Sequence, residues 1–294
     1  MNYKPEIDIT PELDAEGTAL YQGYMGIFRW MIELGRTDII TAVSMLASHQ
    51  VMPREGHLEA CYHIFAYLRK HPTLSIIMHP SRPKVRQDHF VESVNRSDFY
   101  EDCAEEIPDD APEPFGISVK ITAFVDANHA GNLVTRRSQT GYIIFVNNAP
   151  ILYYSKRQNT CESSTFGSEF IAARTLVEAN DALRIKLRSF GIPIDGPTDV
   201  LCDNASVVNS GQRPESVLSK KHLSICYHKV REAVAKKSMR MGKIGDAEQV
   251  CDMFTKLVSP KKREYCLGQM CFRERHSLRD VDKDKDVLLN PAMV

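Results

Sequence analysis

The sequence contains no long hydrophobic run and no excess of either charge. No apolar stretch approaches the ~20 residues that a membrane-spanning helix needs, and 37 Lys and Arg residues face 38 Asp and Glu residues. The first residues, MNYKPEIDITPELDAEG, are acidic and polar, unlike a secretory signal. We therefore predict an intracellular protein that has no membrane partner. Nucleic-acid binding would need a local stripe of Lys and Arg, since the net charge is -1.

Cysteine is present, but it is not arranged in pairs. The eight cysteines are scattered along apolar segments with no C-x-x-C motif, which is typical of small buried side chains in a reducing compartment. The one tight cluster, Cys266, Cys271 and His276, matches no common zinc spacing. The alternating aspartates of the tail lack the Gly and Glu of a calcium loop. The sequence thus argues against a disulfide framework and against these two metal sites.

Composition divides the chain into four segments. In residues 1–80 apolar side chains recur at three- and four-residue steps, which predicts a small helical segment. Residues 81–118 turn from basic to acidic and contain several prolines, which favours an extended linker. Residues 119–272 hold the patterns expected of a catalytic domain, and residues 273–294 read as a solvated charged tail.

The third segment alternates between strand and helix patterns. It begins with an alternating strand from Val119, followed by two β-rich runs separated by Asn-Asn-Ala-Pro, a hairpin signal. A long helix from Ser164 or Thr165 to about Ser189 comes next. The remaining predicted elements are a strand at 199–203, a helix at 220–237, a strand at 239–244 and a helix at 246–257. This order predicts an α/β fold in which helices pack on a mixed sheet.

Four acidic residues lie near the ends of these predicted elements. They are Asp126 after the first strand, Glu169 one turn into the long helix, Asp203 after the short strand, and Asp252 on the last helix. Each alone is an ordinary turn or surface acid. If they converge at one sheet edge, however, they would repel one another unless divalent cations lie between them. Oxygen ligands suit Mg²⁺ or Mn²⁺, and two such ions about 4 Å apart promote phosphodiester hydrolysis.

Several motifs occur in a characteristic order. They include Val125-Asp-Ala-Asn-His-Ala-Gly131, Thr140-Gly-Tyr142, Ser155-Lys-Arg-Gln158, Ser164-Thr-Phe-Gly-Ser-Glu-Phe-Ile-Ala172, Cys202-Asp-Asn204 and Glu248-Gln-Val-Cys-Asp-Met-Phe-Thr-Lys256. With Tyr67-Leu-Arg-Lys70 and others, they span residues 18 to 272. Over this span the chain resembles copia-type LTR retrotransposon Pol polyproteins, from the end of the reverse transcriptase through the ribonuclease H domain.

The resemblance implies a fold, an activity and a set of ligands. The expected fold is a ribonuclease H-like five-stranded mixed sheet flanked by helices, preceded by a helical remnant of the thumb or connection region of the polymerase. The expected activity is cleavage of the RNA strand of an RNA–DNA hybrid, without DNA polymerase activity. The metal-binding acids of the family map onto Asp126, Glu169, Asp203 and Asp252, which would hold two Mg²⁺ ions, with Mn²⁺ as an alternative.

The resemblance also implies partners. By family likeness the chain is a polyprotein fragment that acts in a cytoplasmic virus-like particle, and the missing upstream polymerase part is a candidate partner. Leu20, Phe28, Trp30 and Ile32 are the apolar side chains that we expect to be exposed where that part is absent.

Candidate nucleic-acid-binding residues cluster near the predicted hairpin and in a basic helix. Phosphate contacts are expected from Arg136, Arg137, Lys156, Arg157 and Lys221, and contacts to sugar or phosphate oxygens from Ser138 and Gln158. For the helix that holds Lys221, a solvated face is an equally good interpretation. Asn204, His222 and His228 are auxiliary candidates, although simple packing is the favoured interpretation of the two histidines.

Three positions depart from the family pattern. Asn128 and His129 stand where an Asp and a Trp are usual, and Gly167 replaces a Glu two residues before Glu169. None of these positions is one of the four expected ligands. The altered Asn128 and His129, together with the missing polymerase part, nevertheless support a second hypothesis, that the chain is a catalytically decayed or co-opted fragment that binds nucleic acid or protein.

Overall fold

The computed structural model describes residues 3–76, 78–91, 100, 103–218 and 220–270, together with the backbone of Phe272–Glu274. The described helices are α1 (Ala15–Glu33), α2 (Ile40–Leu46), α3 (Glu55–Lys70), α4 (Thr165–Ser189), α5 (Ala205–Gln212), α6 (Ser224–Ala235), α7 (Asp252–Thr255) and α8 (Pro260–Gln269). The strands are β1 (Leu74–Ile76), β2 (Ile121–Asn128), β3 (Gln139–Val146), β4 (Ala149–Arg157), β5 (Thr198–Cys202), β6 (Met239–Lys243) and β7 (Phe272–Glu274). Within these ranges no helix combines the length and apolar composition that a bilayer crossing requires.

Five of the strands form one mixed sheet. Its order is β4-β3-β2-β5-β6, with β3 antiparallel to both β4 and β2, and β5 parallel to both β2 and β6. Strands β1 and β7 pair separately. The expected α/β fold, a ribonuclease H-like five-stranded mixed sheet with flanking helices, is confirmed.

One face of the sheet packs against α4, α5 and α6. The alternating row of β2, which includes Ile121, Ala123 and Val125, is fully buried there together with Phe170 and Leu176 of α4. Alternation on β2 therefore marks the side that carries these helices, in agreement with the period-2 geometry of a strand.

The opposite face of the sheet is also covered. Phe124 of β2 is buried in a second core together with Phe28 of α1 and Phe254 of α7. The hydroxyl of Thr41 in α2 donates to the carbonyl of Met253 at 2.5 Å, and the Tyr153 hydroxyl donates to the carbonyl of Ile32 at 2.7 Å. The N-terminal helical segment and the sheet thus share one hydrophobic core.

This shared core corrects part of the expected exposed interface. Phe28 is 0% exposed and Ile32 is 7% exposed, because both lie on the face of α1 that packs towards the sheet. Leu20 and Trp30, on the other side of α1, are exposed as expected.

The segment before Asp252 is not the continuous helix that its apolar spacing predicts. A 3-10 turn at Asp246–Glu248 is followed by Gln249 in an extended conformation, and only then does α7 begin. The Gln249 side chain is fully buried. Its amide donates to the carbonyl of Val125 at 2.9 Å and its oxygen accepts from the backbone of Cys251 at 3.2 Å. These bonds tie the chain to β2 and so interrupt the helix.

The acidic segment before β2 is anchored to α4. The carboxylate of Glu105 lies 2.7 Å from Arg184 and 2.5 Å from Arg188. Burial raises the pKa of Glu105, but hydrogen bonds and the charges of the two guanidinium groups outweigh it and lower the pKa to about 2. The described part of this segment is therefore held against the domain, at the C-terminal end of α4.

Replacing Phe28 with Ala should lower the free energy of unfolding of the whole chain by about 3–5 kcal/mol, because it leaves a cavity in the shared core. Urea unfolding followed by far-UV circular dichroism would measure this as one cooperative transition. Trp30→Ala, on the same helix but 66% exposed, is the matched control and should have a much smaller effect. Two separate transitions, with only the first shifted by Phe28→Ala, would contradict a shared core.

Replacing Glu105 with Gln should reduce the loss of folding stability that occurs as pH falls into the acidic range. The folded pKa of about 2 lies below the ordinary value of 4.5, so the carboxylate stabilises the fold above about pH 4.5, and this contribution is lost as pH falls towards 2. Urea midpoints at a series of pH values would show a shallower decline for the variant. Glu178→Gln removes an exposed pair with Arg174 on α4 and should leave the slope unchanged. Identical profiles for Glu105→Gln and wild type would refute the anchoring.

Candidate active site

Strand register brings the first two acids to one edge of the sheet. Phe124 of β2 pairs in parallel with Leu201 of β5. Asp126 and Asp203 each follow two residues later, so both emerge from the carboxyl ends of neighbouring strands. In open sheets with parallel strands this edge is where ligands commonly bind.

Two helices supply the other acids. The Ser164 hydroxyl accepts from the backbone of Gly167 and begins α4, which places Glu169 in the next turn, 4% exposed. Asp252 is the first residue of α7, which packs across β3. The sequence thus predicted the elements of all four acids correctly, although not the shortness of α7.

The four carboxylates converge. Carboxylate oxygens of Asp126, Asp203 and Asp252 all lie within 4.8 Å of one another, and an oxygen of Glu169 lies within the same distance of Asp203 and of the Cys202 sulfur. Asp126, Glu169 and Asp252 are buried, whereas Asp203 is half-buried. Asp203 belongs to both groups and so links Glu169 to the other two aspartates.

Burial and mutual repulsion disfavour full ionisation of this cluster. Burial, then the charges of Asp126 and Asp203, raise the pKa of Glu169 to about 9. Burial also raises the pKa of Asp126 to about 6, although a hydrogen bond from Thr255 opposes the shift. The pKa of Asp203 is raised by burial and by the charge of Asp252. Four acids placed in this way require positive charge between them if all are to ionise.

The residues fit a hard divalent cation. Oε2 of Glu169 is buried and has no hydrogen-bond partner among the described residues, which is unfavourable for a polar atom unless a ligand satisfies it. Cys202 is not a comparable ligand, because burial raises the pKa of its thiol and keeps it neutral. The available donors are carboxylate oxygens, the ligands that Mg²⁺ and Mn²⁺ prefer.

Residues that were not predicted support the acids. The Thr255 hydroxyl donates to Oδ2 of Asp126 at 2.5 Å. Both oxygens of Asp252 are approached by ammonium groups, with Lys256 at 2.6 Å and Lys262 at 3.1 Å. Thr255 and Lys256 stand three and four residues after Asp252, and this spacing was the available sequence signal that they share its helix face.

Gly141 allows α7 to approach the sheet. It pairs with Asp126 across β2 and β3, and a Cβ at this position would lie 2.7 Å from the Thr255 methyl group and 2.8 Å from Cβ of Phe254. Any larger residue would therefore push away the turn that carries Thr255 and Asp252.

The basic candidates are exposed or half-buried at the surface. Lys156 and Arg157 at the end of β4 line two neighbouring clefts of about 260 and 580 Å³. Arg137 lines the larger cleft. Arg136 and Lys221 are exposed.

Ser138 and Gln158 are buried. Ser138 is 0% exposed and its hydroxyl accepts from the backbone of Ala130, while Gln158 is 5% exposed and donates to Thr140 and to the carbonyl of Ser168. Burial leaves Ser138 unable to contact a nucleic acid directly in this structure, whereas Gln158 also lines the smaller of the two clefts. Both residues brace the strand ends that carry the basic residues.

The auxiliary candidates have separate local partners. Asn204 caps α5, since its side chain accepts from the backbones of Ser206 and Val207. His222 is 3.0 Å from Glu162, and His228 is 3.3 Å from the Tyr100 hydroxyl. Both histidines are exposed. Each contacts one neighbouring side chain, but neither is packed in the protein interior.

The three departures from the family pattern are accommodated locally. The Asn128 amide donates to the carbonyl of Thr255 at 3.4 Å, and the His129 ring is 3.4 Å from the Ser168 hydroxyl. At Gly167 a Cβ would lie 2.6 Å from the carboxylate of Glu162. Glu162 thus occupies the space beside Gly167.

The remaining metal motifs lie mostly outside the described residues. Cys266 is fully buried in the second core. Cys271, His276 and the tail aspartates fall outside the described side chains.

Known proteins with similar sequences are polyproteins of mobile elements. The chain is 24% identical over 239 residues to the retrovirus-related Pol polyprotein from transposon RE1 of Arabidopsis thaliana, across 81% of this chain and 14% of that polyprotein. It is 31% identical over 146 residues to the one from transposon TNT 1-94 of Nicotiana tabacum, across 50% of this chain and 11% of that polyprotein. No protein-family model matches.

The curated relatives of this chain are therefore retrovirus-related Pol polyproteins from plant transposons, which confirms the expected relationship. The chain spans between 11% and 14% of the length of these relatives.

Solved structures with a partly similar arrangement are ribonuclease H domains. LC11-RNase H1 in complex with an RNA/DNA hybrid is 16% identical, with a TM-score of 0.38 over 46% of this chain and 94% of that one. The N-terminal RNase H domain of rv2228c from Mycobacterium tuberculosis is 13% identical, with a TM-score of 0.37 over 47% and 96%. These scores are low, so the description of the fold rests on the strand order and pairing of this chain itself.

Replacing Gly141 with Ala should lower the free energy of unfolding by about 1–3 kcal/mol, because the added methyl group overpacks the contact with α7. It should also weaken Mn²⁺ binding, since Thr255 and Asp252 move with α7. Urea unfolding and isothermal titration calorimetry would measure the two effects. Gly26→Ala is the control, because a Cβ there meets nothing within 4 Å and Ala suits the interior of α1 better. Wild-type stability and Mn²⁺ affinity in Gly141→Ala would rule out the close approach.

Proposed function

We propose that this protein is a metal-dependent endonuclease of the ribonuclease H type that cleaves the RNA strand of RNA–DNA hybrids. The observation that carries the proposal is the convergence of four largely buried carboxylates at one edge of a ribonuclease H-like sheet, with one oxygen of Glu169 lacking any partner among the described residues. The relationship to Pol polyproteins supports the same function.

The roles of the acids follow from their positions. Asp126, Glu169, Asp203 and Asp252 would hold two Mg²⁺ ions, with Mn²⁺ as an alternative. When bound, the ions would supply an activated water and charge stabilisation at the scissile phosphate. Thr255 fixes the orientation of the Asp126 carboxylate through its hydrogen bond, and Gln249 fixes the start of α7 against β2. These contacts preorganise the ligands, which is a precondition for efficient catalysis.

The surface that carries these basic side chains suits a nucleic-acid backbone. Lys156 and Arg157 lie between two clefts, with Arg136 and Arg137 on the neighbouring loop and Lys221 before α6. Phosphate contacts of this kind position a duplex without reading its sequence. Recognition of the hybrid would also require contacts to 2′-hydroxyl groups.

A second function, binding without catalysis, is favoured by one observation. Both oxygens of Asp252 are already neutralised by lysines of the same chain, so this acid does not depend on a cation for charge balance. Together with the altered Asn128, His129 and Gly167, this agrees with a decayed or co-opted module that binds nucleic acid or protein.

The absence of polymerase activity, the upstream polymerase partner, the division into domains and the intracellular location in a virus-like particle remain predictions.

The purified chain should cleave the RNA strand of a labelled RNA–DNA hybrid in Mg²⁺ and should leave the DNA strand intact. Glu169→Gln and Asp203→Asn should each reduce the rate by about 100-fold or more, since each removes a carboxylate ligand. Denaturing gel electrophoresis of end-labelled substrates measures both strands. Glu178→Gln, on the same helix as Glu169 but paired with Arg174 at the surface, is the control and should cut normally. Undetectable cleavage by wild type, with hybrid binding retained, would favour the binding module.

A further inference from the structure

Two lysines neutralise Asp252, but they are held differently. Nζ of Lys262 lies 3.1 Å from Oδ2 of Asp252 and also donates to the carbonyls of Asp246 and Ala247, at 2.8 and 3.1 Å. Its side chain is largely buried, at 21% exposure. These contacts hold the Lys262 side chain in place and connect α8 to the turn before α7.

Lys256 lies at the surface end of the same cluster. Its Nζ is 2.6 Å from Oδ1 of Asp252, and its side chain is 49% exposed. The residue follows α7 in an extended conformation, so its ammonium group reaches back over one helical turn. A long, half-exposed side chain of this kind can rotate into solvent without disturbing the core.

The Lys256 ammonium group is attracted by more than one acid. Asp126, Asp252 and Asp203 all act on it electrostatically, and oxygens of these three acids lie within 4.8 Å of one another. The ammonium group therefore supplies positive charge to the acids that would hold a divalent ion. A divalent cation bound to Asp252 would repel the Lys256 ammonium group, which lies 2.6 Å from the same carboxylate.

We propose that Lys256 is a built-in counter-ion of the metal-free site, which leaves Asp252 when a divalent cation binds and thereby sets the cation concentration at which the site fills. This inference rests on the proposed metal-dependent function. It assigns to Lys256 a regulatory contact with the ligand set, separate from any contact with substrate.

The matched comparison is another lysine pair in the same chain. Lys236, the residue after α6, lies 2.6 Å from Glu232 with the same four-residue spacing, and the carboxylates that act on it electrostatically are Glu232 and Glu106, which are not members of the acidic cluster. If Lys256 only forms a surface ion pair, as Lys236 does, removing its charge should leave cation binding unchanged. If it is a counter-ion of the metal site, removing its charge should change cation binding.

The test is Mn²⁺ binding to the full chain, measured by calorimetry without nucleic acid. Lys256→Met retains the apolar stem and removes the charge, and it should bind Mn²⁺ at least about fivefold more tightly than wild type. Lys256→Arg keeps the charge and should stay close to wild type, as should Lys236→Met. In EDTA, Lys256→Met should melt at a lower temperature than wild type, and Mn²⁺ should raise its melting temperature by more.

Unchanged or weaker Mn²⁺ binding by Lys256→Met would overturn the counter-ion role, and so would equal tightening in Lys236→Met. If Lys256→Met does not fold, Lys256→Gln provides the same comparison with a polar side chain. If the proposed metal-dependent function is wrong, the result is different. Wild type, Lys256→Met and Lys256→Gln would then all fail to bind Mn²⁺. Binding by Lys256→Met where wild type binds none would be the strongest support.

Discussion

Repulsion among four carboxylates at one edge of the sheet is the constraint on which the rest of the site depends. Burial strengthens that repulsion, since the surrounding protein screens charge less than water does. The neighbouring residues can be understood as responses to it. Thr255 donates a hydrogen bond to Asp126, Lys262 and Lys256 neutralise Asp252, and Asp203 remains partly exposed to solvent. The cluster is thereby tolerated in the folded chain, while one oxygen of Glu169 has no partner in the part of the chain that the structure describes.

The N-terminal helices contribute to this arrangement from the face of the sheet that α7 also covers. Helix α7 has only four residues, too short to be stable alone, and it is fixed by contacts on several sides. Thr41 of α2 bonds to the carbonyl of Met253, Ser155 of β4 bonds to that of Phe254, and Gly141 admits Thr255. A segment that contributes none of the four acids therefore helps to position Asp252 and Thr255.

Local patterns predicted much of the fold, and tertiary contacts decided the rest. The period-2 strand, the Ser164 cap and the long helix could be predicted because neighbours in sequence determine them. Parallel pairing of strand ends then explains why Asp126 and Asp203 meet. The break at Gln249 was not predictable, because it depends on a hydrogen bond to Val125, which is distant in sequence. The same holds for Ser138, whose polarity suggested a surface role although it is fully buried.

The covering of both sheet faces has a practical consequence for recombinant work. Cutting the chain before β2, at the point where composition suggests a domain boundary, would uncover Phe124, Ile143 and Phe145, all of which are now buried. A newly bared patch of aromatic and branched side chains on a flat sheet favours self-association. Expression designs that aim at the five-stranded sheet and its flanking helices alone should therefore retain the chain from α1 onwards, or replace those three side chains with polar ones.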